Sequence, residues 1–364
     1  MRLRIEPHRD DRQKRWVARI RYTPRMSAPV DRLEPNARTG PLSPAGLAAL
    51  VLALAVASLF AAIAIGSGTT GAQEVLDLLA GRGTASDRQI LLELRLPRAL
   101  AAFGTGAALA LAGALMQVLL RNPLADPYIL GTSGGAATFA LGAMLAGAGA
   151  GVVNASAFVG ALASTLVVFL FARGGQWAAG RLLLTGVVVA AGWSAVVSLM
   201  LAISAERNLR GALYWLMGDF GFADGAAAVL AVALGCTLVC FLLGRSLNVL
   251  ASGDQQAALL GLPVRQMRIG VYCLGAALTA VAVTTAGTVG FVGLVVPHIV
   301  RLVAGADHRV VVPASALAGG SMLVLADTIA RTLLAPRQLP VGAITALVGV
   351  PLFLVLLSRG QRSR

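Results

Sequence analysis

The chain has 364 residues, 57% of them hydrophobic and 13% charged, with a formal net charge of +14. A mean hydropathy of +0.79 excludes an ordinary soluble domain, in which about a quarter of residues are charged. The positive charge does not point to nucleic acid, because the arginines lie in short segments between apolar runs and in a basic N-terminal stretch.

Residues 1–43 hold eleven Arg or Lys against five acids, with prolines spaced through the later part. Such a segment cannot bury enough apolar surface to fold alone. It reads as a disordered cytoplasmic tail beside anionic lipid; a second reading starts translation at Met26. It is too long and too charged for a cleavable signal peptide.

Ten apolar runs follow, at about 44–66, 99–120, 128–148, 152–172, 182–204, 225–244, 269–285, 289–304, 311–334 and 341–357. They predict an all-α polytopic membrane protein of about ten transmembrane helices, with a permease domain over 44–358 and a short C-terminal segment at 359–364. Between the first two runs a short outer helix is predicted at Gln73–Ala80. Glu206–Asp224 reads as a partly amphipathic loop with Trp215 at the interface. The longest polar segment inside the domain is 245–268, where a short helix, Ser252–Leu260, is closed by Gly261 and Pro263. Ten spans put both termini on one side, and the basic connections assign that side to the cytoplasm. Forty-two glycines suit close helix packing in lipid. Cys236, Cys240 and Cys273 read as buried free thiols.

One stretch organises the rest. Arg95-Leu96-Pro97-Arg98 opens the second run, with Pro97 where a helix start tolerates a missing N–H. The run ends in Arg121-Asn122-Pro123-Leu124-Ala125-Asp126-Pro127-Tyr128-Ile129-Leu130-Gly131. Further segments are Tyr214-Trp215-Leu216-Met217-Gly218, Leu260-Gly261-Leu262-Pro263, Gly290-Phe291-Val292-Gly293-Leu294 with Pro297-His298, Ala326-Asp327 with Ala330-Arg331, and Leu339-Pro340-Val341-Gly342. In order and spacing, over about residues 90–357, this resembles the iron-chelate/cobalamin permease family, the membrane subunits of type II ATP-driven importers.

From the residues alone, Arg95, Arg98 and Arg331 are interfacial arginines that snorkel to headgroups. The resemblance implies instead that they dock a periplasmic substrate-binding protein, for which a planar guanidinium suits a carboxylate. Asn122, Pro123 and Leu124 are a helix stop by chemistry and, by resemblance, part of a cytoplasmic gate. A second inner gate would lie before the fifth span, where this chain has Trp177-Ala178-Ala179-Gly180. Ala251, Leu260, Gly261, Leu262 and Pro263 form a connecting helix end, and by resemblance they couple to an ATPase.

The chain has a single lysine, Lys14, and no Gly-x-x-x-x-Gly-Lys-Ser/Thr loop, so any ATP would be used by a partner subunit. No catalytic residue, metal site or permanently bound cofactor is expected. Ionisable residues inside spans, such as His298 and Asp327, are functional candidates by default; the resemblance implies instead that both are structural pairs rather than ligands. The implied assembly is a homodimer with two ATPase subunits and a binding protein, embedded in lipid of the inner membrane, with both termini cytoplasmic. The implied cargo is haem first, then siderophore, then cobalamin. The rival is an ion-coupled secondary transporter, which would place acidic sites near the bilayer midplane; only Asp327 is a candidate.

Overall fold

The computed structural model describes residues 42–66, 71–172, 179–221 and 225–362. Most of the basic tail therefore lies outside the described residues, as does the inner-gate loop at 173–178. Helix α1 (Pro44–Ala64) starts where Ser43 Oγ accepts the Gly46 amide and Pro44 fills the first turn. Leu47, Val51, Ala55, Ser58 and Ala62 recur every three or four residues and are buried. Leu50, Leu54 and Val56 on the other face are exposed, as a lipid-facing surface would be.

Short helices α2 (Ala72–Leu79) and α3 (Ala85–Gln89) and a π-helical turn, Ile90–Arg95, lead into α4 (Leu96–Leu120). The outer helix expected at Gln73–Ala80 is α2. Along the helical run Ala85–Leu120, 94% of the most apolar stretch is buried. Helix α4 has no lipid face, and its sequence says why. It is built from Ala, Gly and Leu, so neighbours can close in on every side.

Beyond α4, a 3₁₀ turn at Pro127–Leu130 precedes α5 (Thr132–Leu145). Then come α6 (Ala150–Ala172), α7 (Ala179–Ala202), α8 (Glu206–Met217), α9 (Ala226–Leu242) and α10 (Gly244–Ala251). The rest is α11 (Asp254–Leu259), α12 (Val264–Ala286), α13 (Val292–Ala304), α14 (His308–Thr332) and α15 (Val341–Arg362). Helices α1, α4, α5, α6, α7, α9, α12, α13, α14 and α15 answer to the ten predicted runs. Among the described residues, six helices are long and apolar enough to cross a membrane alone, and α9 with α10, bent by 67°, makes a seventh.

Helices α5 and α13 are short because their spans are interrupted. At ~1.5 Å per residue, the 14 residues of α5 reach only part of the way across, and the 3₁₀ turn supplies the rest. Asp126 caps that turn by accepting the Tyr128 amide at 2.8 Å. The Tyr128 hydroxyl accepts the Val289 amide at 3.1 Å, tying one interrupted span to the other. Ser164 Oγ donates to Gly131 O at 2.8 Å and receives Trp193 Nε1–H at 2.9 Å, which fastens α6 and α7 to the start of α5. Such contacts satisfy backbone groups that hydrocarbon could not.

Two departures from expectation have clear causes. Glu206–Asp224 is not a loop throughout: α8 occupies its first half, because Ala212 and the half-buried Trp215 give it a packing face despite the charged start. Helix α15 continues past 357 to Arg362, since nothing in Ser358-Arg359-Gly360-Gln361 stops a helix that has already formed.

The bundle has two distinguishable ends. Leu42 N–H donates to Val303 O, and Asn248 bonds Asp307 and His308. The start of α1, the α10–α12 connection and the α13–α14 turn therefore share one end with Arg121. The other end gathers Arg95, Arg98, Asp327 and Gln338.

Helix α4 meets α14 at Gly106, where a Cβ would overlap the Gly319 carbonyl, and meets α13 at Gly113, where it would overlap the Gly293 carbonyl. Leu at position 113 is expected to destabilise by at least the ~1–3 kcal/mol of an overpacked core. Gly235 in α9 faces open space, so Gly235→Ala is expected to be neutral or to gain up to ~1 kcal/mol in helix propensity. Thermal unfolding of the two variants in one detergent compares the signs.

Candidate functional site

At the Arg98 end, the three singled-out arginines converge, and their guanidiniums turn inward. Arg95 is 7% exposed and donates through NH1 to Ile63 O at 2.7 Å. Arg98 grips Asp327 with Nε at 3.0 Å and NH2 at 2.8 Å, a bidentate fork on a carboxylate that is itself only 3% exposed. Arg331 Nε lies 3.7 Å from the second oxygen of Asp327, and its NH2 bonds Ala62 O. One carboxylate thus fastens α4 to α14, while Arg95 and Arg331 fasten both to the end of α1. Arg98 also approaches the outside: NH1 bonds Gln338 Oε1 at 3.3 Å in an exposed position, and NH2 lies 3.9 Å from Asp219. Asp327 is thus paired within the bundle, with Arg98 and Arg331.

At the Arg121 end, α4 stops because Arg121 takes a left-handed conformation, φ 49° and ψ 38°. Asn122 then folds the chain back: its Oδ1 accepts the Leu124 amide at 2.9 Å, and its own amide returns to Gln117 O at 3.2 Å. Pro123 and Leu124 are left exposed at the tip. Above them Gln117 Nε2, buried, reaches the carbonyls of Ala125, Gly293 and Leu294 at 3.2–3.4 Å, which holds the folded-back segment against α13.

The 245–268 connection lies beside that tip. Helix α11 buries Ala257 and ends in a Schellman turn: Leu262 N–H donates to Ala257 O at 2.9 Å and Gly261 N–H to Ala258 O at 3.0 Å, with Gly261 at φ +78°. The expected closure by Gly261 and Pro263 is therefore seen, although the helix is shorter than Ser252–Leu260. Leu259 and Leu260 are 88% and 70% exposed, side by side with exposed Ala251, Gly261 and Pro263. Two neighbouring leucines therefore stand uncovered as an apolar knob on an otherwise polar connection.

Nearby, Asp307 stays below the usual carboxylate range. Partial burial pushes it up, but Asn248, the Arg309 amide and the Arg309 guanidinium outweigh that. Among the described residues no three His, Cys, Asp or Glu gather as metal ligands. Sequence reasoning missed Asp254 and Arg268, which face each other at 3.3 Å across this connection. The only sequence signal was that Asp254 is the sole acid in a segment with three arginines.

A bundle of apolar helices, several long enough to cross a membrane and two in interrupted spans, defines a polytopic all-α membrane protein. The FecCD transport family matches residues 53–359, and the chain belongs to that family. It is 40% identical over 315 residues to the hemin transport system permease protein HmuU of Yersinia pestis, covering 83% of this chain and 93% of that one. It is 42% identical over 274 residues to the vitamin B12 import system permease protein BtuC of Escherichia coli, covering 74% and 84%. A solved structure described as an inward-facing metal-chelate type ABC transporter superposes with a TM-score of 0.76 at 30% identity, covering 87% of this chain and 99% of that one. This protein is accordingly the permease subunit of a type II ABC importer, and it is not itself an enzyme.

Removing the charge of Asp327 should strand Arg98 and Arg331 with no buried anion. Asp327→Asn is expected to cost about 3–5 kcal/mol, as for breaking a buried pair. Asp77→Asn, which breaks the exposed pair with Arg82 at 3.4 Å, should cost at most about 1 kcal/mol. Thermal melts in detergent compare the two. Gly261→Ala, forced to hold φ +78°, should lose about 1–2 kcal/mol locally, read as faster amide exchange at Gly261 and Leu262 with the rest of the protein unchanged.

Proposed function

We propose that the chain imports an iron complex, haem before siderophore, across the inner membrane into the cytoplasm, as a homodimer with two ATPase subunits. The observation that carries the ATP-driven part is the uncovered Leu259–Leu260 knob closed by Gly261, Leu262 and Pro263. It offers an apolar grip on a chain that has no phosphate-cradling loop of its own. The Arg121 end is the cytoplasmic end, because the basic connections cluster there. Asn122, Pro123 and Leu124, at the folded-back tip beside the knob, form the cytoplasmic gate.

The homodimer reading is supported by α7 and α15. Only 11% of the most apolar stretch of α7 is buried within the chain, and Leu184, Val188 and Leu199 on it and Leu347 and Leu354 on α15 are exposed. Two such faces, brought together by a two-fold axis, would enclose a pathway between copies. The binding protein docks at the Arg98 end. There Arg98, through its outward NH1 at Gln338, offers a guanidinium to a partner carboxylate, while Arg95 and Arg331 hold the platform that carries it.

Haem is the cargo we favour and cobalamin the alternative, since the relatives at 40% and 42% identity are a hemin permease and a vitamin B12 permease. Proteoliposomes containing the chain, its ATPase and its binding protein are expected to accumulate haem only when ATP is inside the ATPase compartment. Uptake that ignores ATP and collapses with an ion gradient would overturn the reading. ATP-dependent uptake of cobalamin but not haem would keep the importer and replace the cargo.

A further inference from the structure

The ion pairs at the Arg121 end do something that the knob and the gate do not. Asp254, the first residue of α11, puts Oδ2 3.3 Å from Arg121 NH2 and 3.3 Å from Arg268 NH1. Arg121 is the left-handed residue that ends α4 and passes directly into Asn122. The Arg268 side chain is only 6% exposed and stands over the last turn of α4, with NH2 3.5 Å from Leu119 O. A single carboxylate therefore faces two guanidiniums, one at the root of the gate segment and one on α12. Its other oxygen, Oδ1, is buried without a hydrogen-bond partner, so the carboxylate is held by charge rather than by a full set of hydrogen bonds.

We propose that Asp254 is the positioning residue through which displacement of the leucine knob reaches the gate: its carboxylate carries the movement of α11 to Arg121 and hence to Asn122. This rests on the ATP-driven reading above. Moving α11 outward would draw the Asp254 carboxylate away from both guanidiniums and remove its attraction for each. The end of α4 follows α11 or loses that attraction. A cleft of about 490 Å³, lined by Arg121, Ser252, Gly253, Asp254, Gln255 and Gln256, gives the segment room to shift. Two half-exposed partners, Arg121 and Asp254 with 40% and 38% of their side chains accessible, form a contact that can break and re-form in a working cycle. The contact with Arg268, whose side chain is 6% exposed, is the more firmly held of the two.

The test is cargo moved per ATP hydrolysed, measured in proteoliposomes on complexes that co-purify with the ATPase. Asp254→Asn is expected to lower that ratio by about tenfold, within the usual 5- to 150-fold range of coupling between linked sites. Asp254→Glu, which keeps the charge, should recover most of it. Arg121→Gln should lower the ratio similarly, and the double variant should fall no further than either single one, because the two act through one contact. A wild-type ratio in Asp254→Asn, or losses that simply add in the double variant, would overturn the proposal. So would failure of Asp254→Asn and Arg121→Gln to bind the ATPase, since Asp254 would then be a docking contact. If the unmutated complex shows no ATP-dependent uptake, the transport reading itself falls, and that result is distinct from a wild-type complex that couples and variants that couple equally well.

Discussion

The structure depends on one steric condition: α4 must be approached by other helices on every side without a hydrophobic effect to pull them in. Lipid tails are as apolar as leucine, so packing rather than water exclusion holds spans together. The gain comes from many contacts of about 0.1–0.2 kcal/mol each, and these require close approach. Gly106 against Gly319 and Gly113 against Gly293 provide it, since their carbonyls sit where a side chain would begin. The same closeness explains the interrupted spans. Helix α13 can start at Val292 beside the middle of α4 only because Gly293 and Gly113 let two backbones touch.

This condition also decides what could be read from the amino acids. Ten apolar runs, the breaks at Asn122-Pro123 and Gly261-Leu262-Pro263, and the small-residue character of α4 are local signals, and each appears where local rules put it. The position of Asp254 against Arg121 and Arg268 is different: it joins residues 133 and 14 positions apart, through two helices whose angles follow from packing. Likewise Arg98 and Asp327 are 229 positions apart. Their types mark them as functional or structural candidates, but only the bundle decides which. The partner of Arg98 was hidden because it lies on another helix, whereas Arg331 had Asp327 one turn back in its own helix. Helix α8 was legible only as an amphipathic stretch, because its buried residue, Ala212, is small and its polar start resembles a loop.

The two ends of the bundle are fastened in physically different ways, and the difference bears on how a permease moves. At the Arg98 end the carboxylate is 4% exposed and its arginines are 17% and 11% exposed. Separating them would leave ions uncompensated in a poorly solvated place, at a cost of several kcal/mol. At the Arg121 end, Arg121 and Asp254 are wetted, so water can take over from either and that pair is worth no more than about 1 kcal/mol; only Arg268, the third member, is buried.

A bundle clamped at one end and pinned lightly at the other does not flex evenly. On the proposed ATP-driven reading, a push on the leucine knob would be borne first by the nearby ends of α4 and α12, so the Arg98 end would act as the pivot and the Arg121 end as the moving part. Helices α5 and α13, interrupted in mid-span and tied to each other through Tyr128 and Val289, are the elements able to absorb the change, because a broken helix can swing at its break while keeping its own hydrogen bonds. Helix α14, whose one interior proline, Pro313, lies near its far end, has no such break at its Asp327 end, and its attachment to Arg98 and Arg331 through Asp327 fixes the point about which that part would tilt.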